Sequence, residues 1–178
     1  GPKMLKLSSE LTDGAHPYWT TPEHTQMARE TIGPEKLLCV EQKVVLTQAQ
    51  ATAYEAARNA LRIYTALPNY RNNWKRMGFT DTDIDTPTGR FIDAVIAWGS
   101  IQDIENRILE HEKAGASHVC IQPLSIDGNF KIPEWETLEA LAPARDSNAE
   151  GRWRFHLTYQ HSSSLRPWAE EVLRECPM

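Results

Sequence analysis

No stretch of this chain approaches the roughly 20 consecutive apolar residues that a membrane helix needs, and none reads as a signal peptide. A membrane partner is therefore not expected. The chain also lacks a basic stripe: 19 Lys and Arg face 24 Asp and Glu, for a net charge of −5. Nucleic-acid binding needs clustered positive charge, so a nucleic-acid partner is not expected either. Cysteine is scarce, with only Cys39, Cys120 and Cys176, and no CxxC spacing joins them. An odd set without a framework reads as reduced thiols in a cytoplasmic protein, and Cys39 and Cys120 sit inside apolar runs as plain core residues. The six histidines, at 16, 24, 111, 118, 156 and 161, form no HExxH and no other compact ligand pair, so no metal site is expected. A GxSxG elbow and a Walker-type loop are absent as well, which argues against a hydrolytic triad or a P-loop.

What remains is an ordinary globular composition, 40% hydrophobic and 24% charged over 178 residues, enough for one domain with a sizeable core. Helix and strand signals alternate along it. Residues 2–13 place Met4, Leu5, Leu7 and Leu11 near helical spacing behind Pro2, with Gly14 as terminator. A short extended stretch follows at 15–18. Thr21-Pro22-Glu23 then opens a helix to about Ile32, which Gly33-Pro34 stops.

Leu37-Leu38-Cys39-Val40 reads as a strand buried on both faces of a parallel sheet. Val44-Val45-Leu46 either extends it or forms a second strand, beyond a charged Glu41-Gln42-Lys43. An alanine-rich helix spans 48–66, a helical turn or two follows from Asn69 to Met77, and Phe79–Gly89 is polar and loop-like. Arg90–Trp98 reads as helix. Ser100 and Asp103 have capping-box spacing before a helix carrying Ile101, Ile104, Ile108 and Leu109. Residues 117–124 form the third core strand, and Pro133 opens a last helix through Leu141.

Strands near 15–18, 37–40 and 118–122 joined by helices imply right-handed βα crossovers and a parallel α/β sheet. Three strands cannot close a barrel of eight. The exposed edge of such a sheet predicts pairing, as a homo-oligomer or with a missing half-barrel. From Arg145 the pattern changes: Trp153, Phe155, Leu157 and Tyr159 alternate with polar residues as a strand, and Leu165, Trp168, Val172 and Leu173 suggest a helix. The expected organisation is thus residues 1–144, then an appended strand–helix tail at 145–178 that covers the open edge.

Several clusters are candidates for chemistry. Gly1, Pro2 and Lys3 open the first helix, where exposed amides, the dipole and a cation suit an anion; an ordinary helix start is the alternative. His16, Tyr18 and Trp19 follow a strand and would lie on the carboxyl-terminal rim of a βα barrel, where a histidine among aromatics can meet a flat ring. The same histidine could instead pack beneath the next loop. His24 reads as a surface or packing residue, and Glu41-Gln42-Lys43 as a second rim cluster, either functional or merely a solvated charged loop. Gln122 ends the third strand and could also reach the rim. Asn69–Arg76 mixes amides, aromatics and cations, as either a lid or a hydrogen-bonded helix connection would.

These motifs also occur together in one family. Gly1-Pro2-Lys3-Met4-Leu5, Asp13-Gly14-Ala15-His16-Pro17-Tyr18, Thr21-Pro22-Glu23-His24-Thr25 and Glu41-Gln42-Lys43-Val44-Val45-Leu46 resemble the luciferase-like monooxygenase superfamily. So do Leu67-Pro68-Asn69-Tyr70, Met77-Gly78-Phe79-Thr80 and Ala114-Gly115-Ala116-Ser117-His118-Val119-Cys120-Ile121-Gln122. The branch resembled is that of coenzyme F-420-dependent oxidoreductases, over residues 1 to about 144. The resemblance implies a TIM barrel holding a deazaflavin or FMN at its carboxyl-terminal rim and acting on a small organic substrate. It implies that Gly1 and Pro2, which it marks as native, make a cofactor-contacting turn together with Lys3. His16, Tyr18 and Trp19 would lie beside the cofactor tail and the substrate mouth.

It also implies that this chain is the carboxyl-terminal half of such a barrel, without the first strands. Two expectations follow: a flavin- or deazaflavin-dependent oxidoreductase or monooxygenase present as a fragment, or an inactive half-barrel serving as a scaffold or dimerisation module.

Overall fold

Proline opens three of the helices, where its fixed φ suits the first turn and its missing N–H leaves no bond unmade. In the computed structural model, which describes residues 1–126 and 134–141, these are α1 (Pro2–Leu11), α2 (Pro22–Ile32) and α4 (Pro68–Arg76). Thr21 caps α2 by accepting the His24 amide. Between α2 and α4 lies the alanine-rich α3 (Gln50–Tyr64), whose Ala53, Ala56, Ala57, Ala60 and Leu61 are buried. Then come α5 (Asp81–Asp85), α6 (Gly89–Val95), α7 (Ile101–Lys113) and α8 (Trp135–Leu141). The Ser100/Asp103 capping box forms as expected, with both reciprocal bonds made.

The strands are β1 (Gly14–Ala15), β2 (Leu37–Leu46), β3 (Ile96–Gly99) and β4 (His118–Pro123), and every pairing among them is parallel. The ten-residue β2 is the spine. Its Val44 is the partner of both Ala97 and Pro123, so β3 and β4 flank it on opposite edges. The Leu37 and Glu41 amides donate to the Asp13 and Pro17 carbonyls, which puts the β1 segment on the same edge as β3, one after the other. The parallel α/β architecture of a partial barrel is the one expected.

Five details differ from the sequence reading. Glu41-Gln42-Lys43 is not a rim loop: it lies inside β2 and is buried, at 4%, 1% and 2% exposure, because its charges find each other. Arg90–Trp98 is not one helix: α6 stops at Val95 and a fourth strand begins at Ile96, where four residues pair with the end of β2. Phe79–Gly89 contains α5, started by a second capping box between Thr80 and Asp83. Gly14 does not terminate α1; Thr12 does, and Gly14 is paired with Leu37 so closely that a Cβ would strike the Leu37 carbonyl oxygen. In α1 only Leu5 is buried, while Met4, Leu7 and Leu11 are exposed. Pro133 and the tail from residue 145 lie outside the described residues. Among the described residues, no helix is long and apolar enough to cross a membrane.

Candidate functional site

Side chains alternate across a strand, so β2 has two faces of different character. Leu38 and Val40 pack with Leu5, Ala28 and Ile32, and Val44 packs with Ile104 and Ile108. The even positions therefore face the layer of α1, α2 and α7. Val45 instead joins Trp19, Trp74, Leu61 and Phe91, so the odd positions face inward, beneath α3, α4 and α6. Cys39, Glu41 and Lys43 share that inward face. Register places His118, Cys120 and Gln122 of β4 directly beside them.

Lys43 organises the face. Its Nζ donates to Glu41 Oε1 at 2.5 Å and to Gln122 Oε1 at 2.6 Å, and it lies 3.8 Å from the centroid of the Tyr18 ring. The Trp19 ring is 4.5 Å away. An ammonium has three N–H donors. Here a carboxylate, an amide oxygen and a π face account for all three. Tyr18 Oη donates to the same Gln122 Oε1 at 2.9 Å and lies 3.4 Å from the Tyr64 hydroxyl. Glu41 Oε2 accepts the Trp19 amide at 3.5 Å.

Burial dominates the titration of this cluster. It lowers the Lys43 ammonium to about 8, against the pull of Glu41. It raises the Glu41 carboxyl, against Lys43 and the Trp19 amide. Tyr18 is raised well above the ordinary tyrosine range by burial and by its bond with Tyr64, so it stays a neutral donor.

The sequence-predicted residues divide around this cluster. Tyr18 is part of it and half-buried, with Tyr64 and Tyr70 making edge and tilted contacts to its ring. Trp19 is not open to solvent; at 1% exposure it is core, and it can shape the site only from behind. Its backbone is left-handed, at φ 56°, a conformation that costs a bulky residue of order 1–3 kcal/mol. The Glu41 contact to its amide and a 3.0 Å bond from Trp74 Nε1 to its carbonyl hold it there. His16 is exposed, and its Nδ1 lies 2.6 Å from the Cys39 carbonyl, which makes Nδ1 the protonated nitrogen. Gly1, Pro2 and Lys3 are exposed at the amino end of α1. A Cβ on Gly1 would stand 3.1 Å from Arg76 Nη1, so α4 meets Gly1 through Arg76 and Trp19 through Trp74.

The outward face of β2 holds a second polar group that sequence reasoning missed. Gln42 Nε2 donates to the Lys43 and Val95 carbonyls, and its Oε1 lies 2.9 Å from His111 Nε2. His111 Nδ1 is 2.9 Å from Thr25 Oγ1. Because Gln42 Oε1 can only accept, His111 carries its proton on Nε2 and Nδ1 accepts from the threonine. Burial lowers His111 to about 4, assisted by Arg107, and burial likewise lowers His24 to about 4. His24 is a packing residue, 5% exposed. This group ties α2 and α7 to β2. The available signal was E-Q-K between two apolar runs: at period 2, Glu and Lys share one face and Gln faces the other.

No family model matches the chain, and no curated protein matches it. Among solved structures it is similar to the coenzyme F420-dependent tetrahydromethanopterin reductase from Methanopyrus kandleri. That match has 19% identity and a TM-score of 0.51, and it covers 69% of this chain and 42% of the reductase. At that identity the likeness establishes the fold. The matched part spans about two fifths of the length of that protein.

Proposed function

We propose that this chain forms the cofactor- and substrate-facing part of a deazaflavin- or flavin-dependent oxidoreductase of the luciferase-like superfamily. The observation that carries the reading is the Glu41–Lys43 pair, buried in a parallel strand and joined to half-buried Gln122 and Tyr18. A buried ion pair is weak evidence for stability, since apolar residues of similar size often serve as well or better. Parallel α/β folds bind ligands at the carboxyl ends of their strands, and this cluster runs from the middle of β2 to the next-to-last residue of β4.

The residues fit a flat cofactor with an anionic tail. Tyr18, Tyr64 and Tyr70 offer half-buried aromatic surface, and Gln122 and Tyr18 add fixed polar groups. Gly1, Pro2 and Lys3 at the amino end of α1, with Arg76 beside Gly1, suit the tail. Coenzyme F-420 or FMN would supply the redox chemistry when bound; the protein would position it and set its electrostatics. His16 and Tyr18 would face a small organic substrate, and Trp19 would hold Tyr18 and Glu41 in place. A cytoplasmic setting and a second copy of the chain as partner belong to the same reading.

A fluorescence titration of the full chain with coenzyme F-420 and with FMN tests it. Saturable binding of one of them, weakened by Tyr18→Ala and by Gly1→Val, is expected. Absence of binding of either at high micromolar concentration would overturn it in favour of an inactive half-barrel scaffold.

A further inference from the structure

The Gln122 amide is locked in one orientation. Lys43 Nζ at 2.6 Å can only donate, so the atom facing it has to be the oxygen. Tyr18 Oη donates to that same oxygen at 2.9 Å and is itself held neutral by burial. Flipping the amide would set its N–H groups against an ammonium. With Oε1 occupied by two fixed donors, Nε2 lies at the opposite edge of the planar amide group and carries two N–H donors. Gln122 is half-buried at the next-to-last position of β4, on the inward face where the tyrosines gather.

The charge balance says what such a donor would read. Lys43 is paired with Glu41, so the cluster offers no surplus charge to an anion. A neutral acceptor on a flat, apolar framework matches both the amide and the aromatic surface.

We propose that Gln122 is a ligand-reading residue, donating its side-chain amide N–H to a neutral carbonyl oxygen of a ring bound on this face. Lys43, Glu41 and Tyr18 are its positioning residues. The inference rests on the reading of this face as a ring-binding site, and it narrows that reading to the ring's carbonyl edge.

The test uses the full-length chain labelled with nitrogen-15. The Gln122 side-chain amide signals are identified by their loss in Gln122→Glu. That variant keeps oxygens for Lys43 and Tyr18 but has no N–H to donate; Gln122→Met removes all polar atoms and serves as a second variant. Two probes separate the questions. N-methylpyrrolidone is a carbonyl acceptor with no flavin character, and lumiflavin is a neutral ring without a phosphate tail.

N-methylpyrrolidone at tens of millimolar should shift the Gln122 amide protons downfield. Its affinity should fall at least fivefold in both variants, measured below each variant's own thermal midpoint. Lumiflavin should move the same signals and lose at least tenfold in affinity in both variants. Unmoved amide signals with N-methylpyrrolidone would overturn the role of Gln122 whatever the flavin does. So would lumiflavin binding within twofold of the parent in both variants. A response to N-methylpyrrolidone but not to lumiflavin, coenzyme F-420 or FMN would leave the carbonyl-reading role standing and overturn the oxidoreductase reading.

Discussion

Lys43→Met is the most informative perturbation of the cluster, because the structure fixes both its size and its pH dependence. Methionine matches the aliphatic stem but leaves Glu41, 4% exposed, with no cation beside it. A buried carboxylate without a partner neutralises instead of staying charged. At pH 7 the proton has to be taken up about 2.5 units above the ordinary glutamate value of 4.5. At about 1.36 kcal/mol per unit, this costs about 3 kcal/mol. That agrees with the roughly 3–5 kcal/mol typical of removing one partner from a buried pair. The penalty should shrink to about 1 kcal/mol at pH 5, where the proton is nearly free.

Urea unfolding of parent and variant at pH 5, 6 and 7, with slopes held equal, reads this directly. The double variant Glu41→Gln/Lys43→Met removes both charges and should recover most of the loss at pH 7. A single variant within 1 kcal/mol of the parent at pH 7 would refute the reasoning. A penalty that stays flat from pH 5 to pH 7 would refute it too.

Three further outcomes follow from the same geometry. His111, lowered from 6.5 to about 4, is neutral in the fold but takes a proton in the unfolded chain below 6.5. Its contribution is therefore complete above pH 6.5 and is lost as pH falls from 6.5 to 4, by up to about 3 kcal/mol. His24 adds in the same direction, while the raised Glu41 opposes it, so the difference between the parent and His111→Phe over that range isolates the term. Gly14→Ala, whose Cβ meets the Leu37 backbone, should cost about 2 kcal/mol in chemical denaturation and loosen the β1–β2 pairing in amide exchange. Arg29 donates to the Gly33, Lys36 and Gly115 carbonyls and to Ser117 Oγ, a fork that lysine cannot reproduce. Arg29→Lys should lose about 2 kcal/mol and lower the thermal midpoint, whereas Glu30→Gln next to it should be neutral.

Local rules made much of the fold legible. Prolines 2 and 22, the Ser100/Asp103 box and the apolar runs at 37–40 and 118–122 each act within a few residues, and each element formed close to where it was expected, whereas Pro68, read as the end of the alanine-rich helix, opens α4. What escaped depends on distant partners. Glu41 and Lys43 look like a solvated turn until Tyr18, Trp19 and Gln122 surround them. Four residues of β3 directly continue the apolar pattern of α6, and only pairing with β2 separates them. The left-handed backbone at Trp19 has no signature in a tryptophan; it is imposed by Glu41 and Trp74. Of the candidate site, the aromatic Tyr18 and the strand-end Gln122 were visible in the sequence. The ion pair that fixes them was visible only as charges in an awkward place.

We propose that a flat cofactor binds on the inward face of β2 and β4. Mapping amide shift changes along the labelled chain during an FMN titration tests it most directly. The largest changes should fall on Tyr18, Lys43, Tyr70 and Gln122, with a second set at Gly1–Lys3 from the phosphate. Changes confined to the outward face, at Gln42, Thr25 and His111, or no saturable change at all, would contradict it.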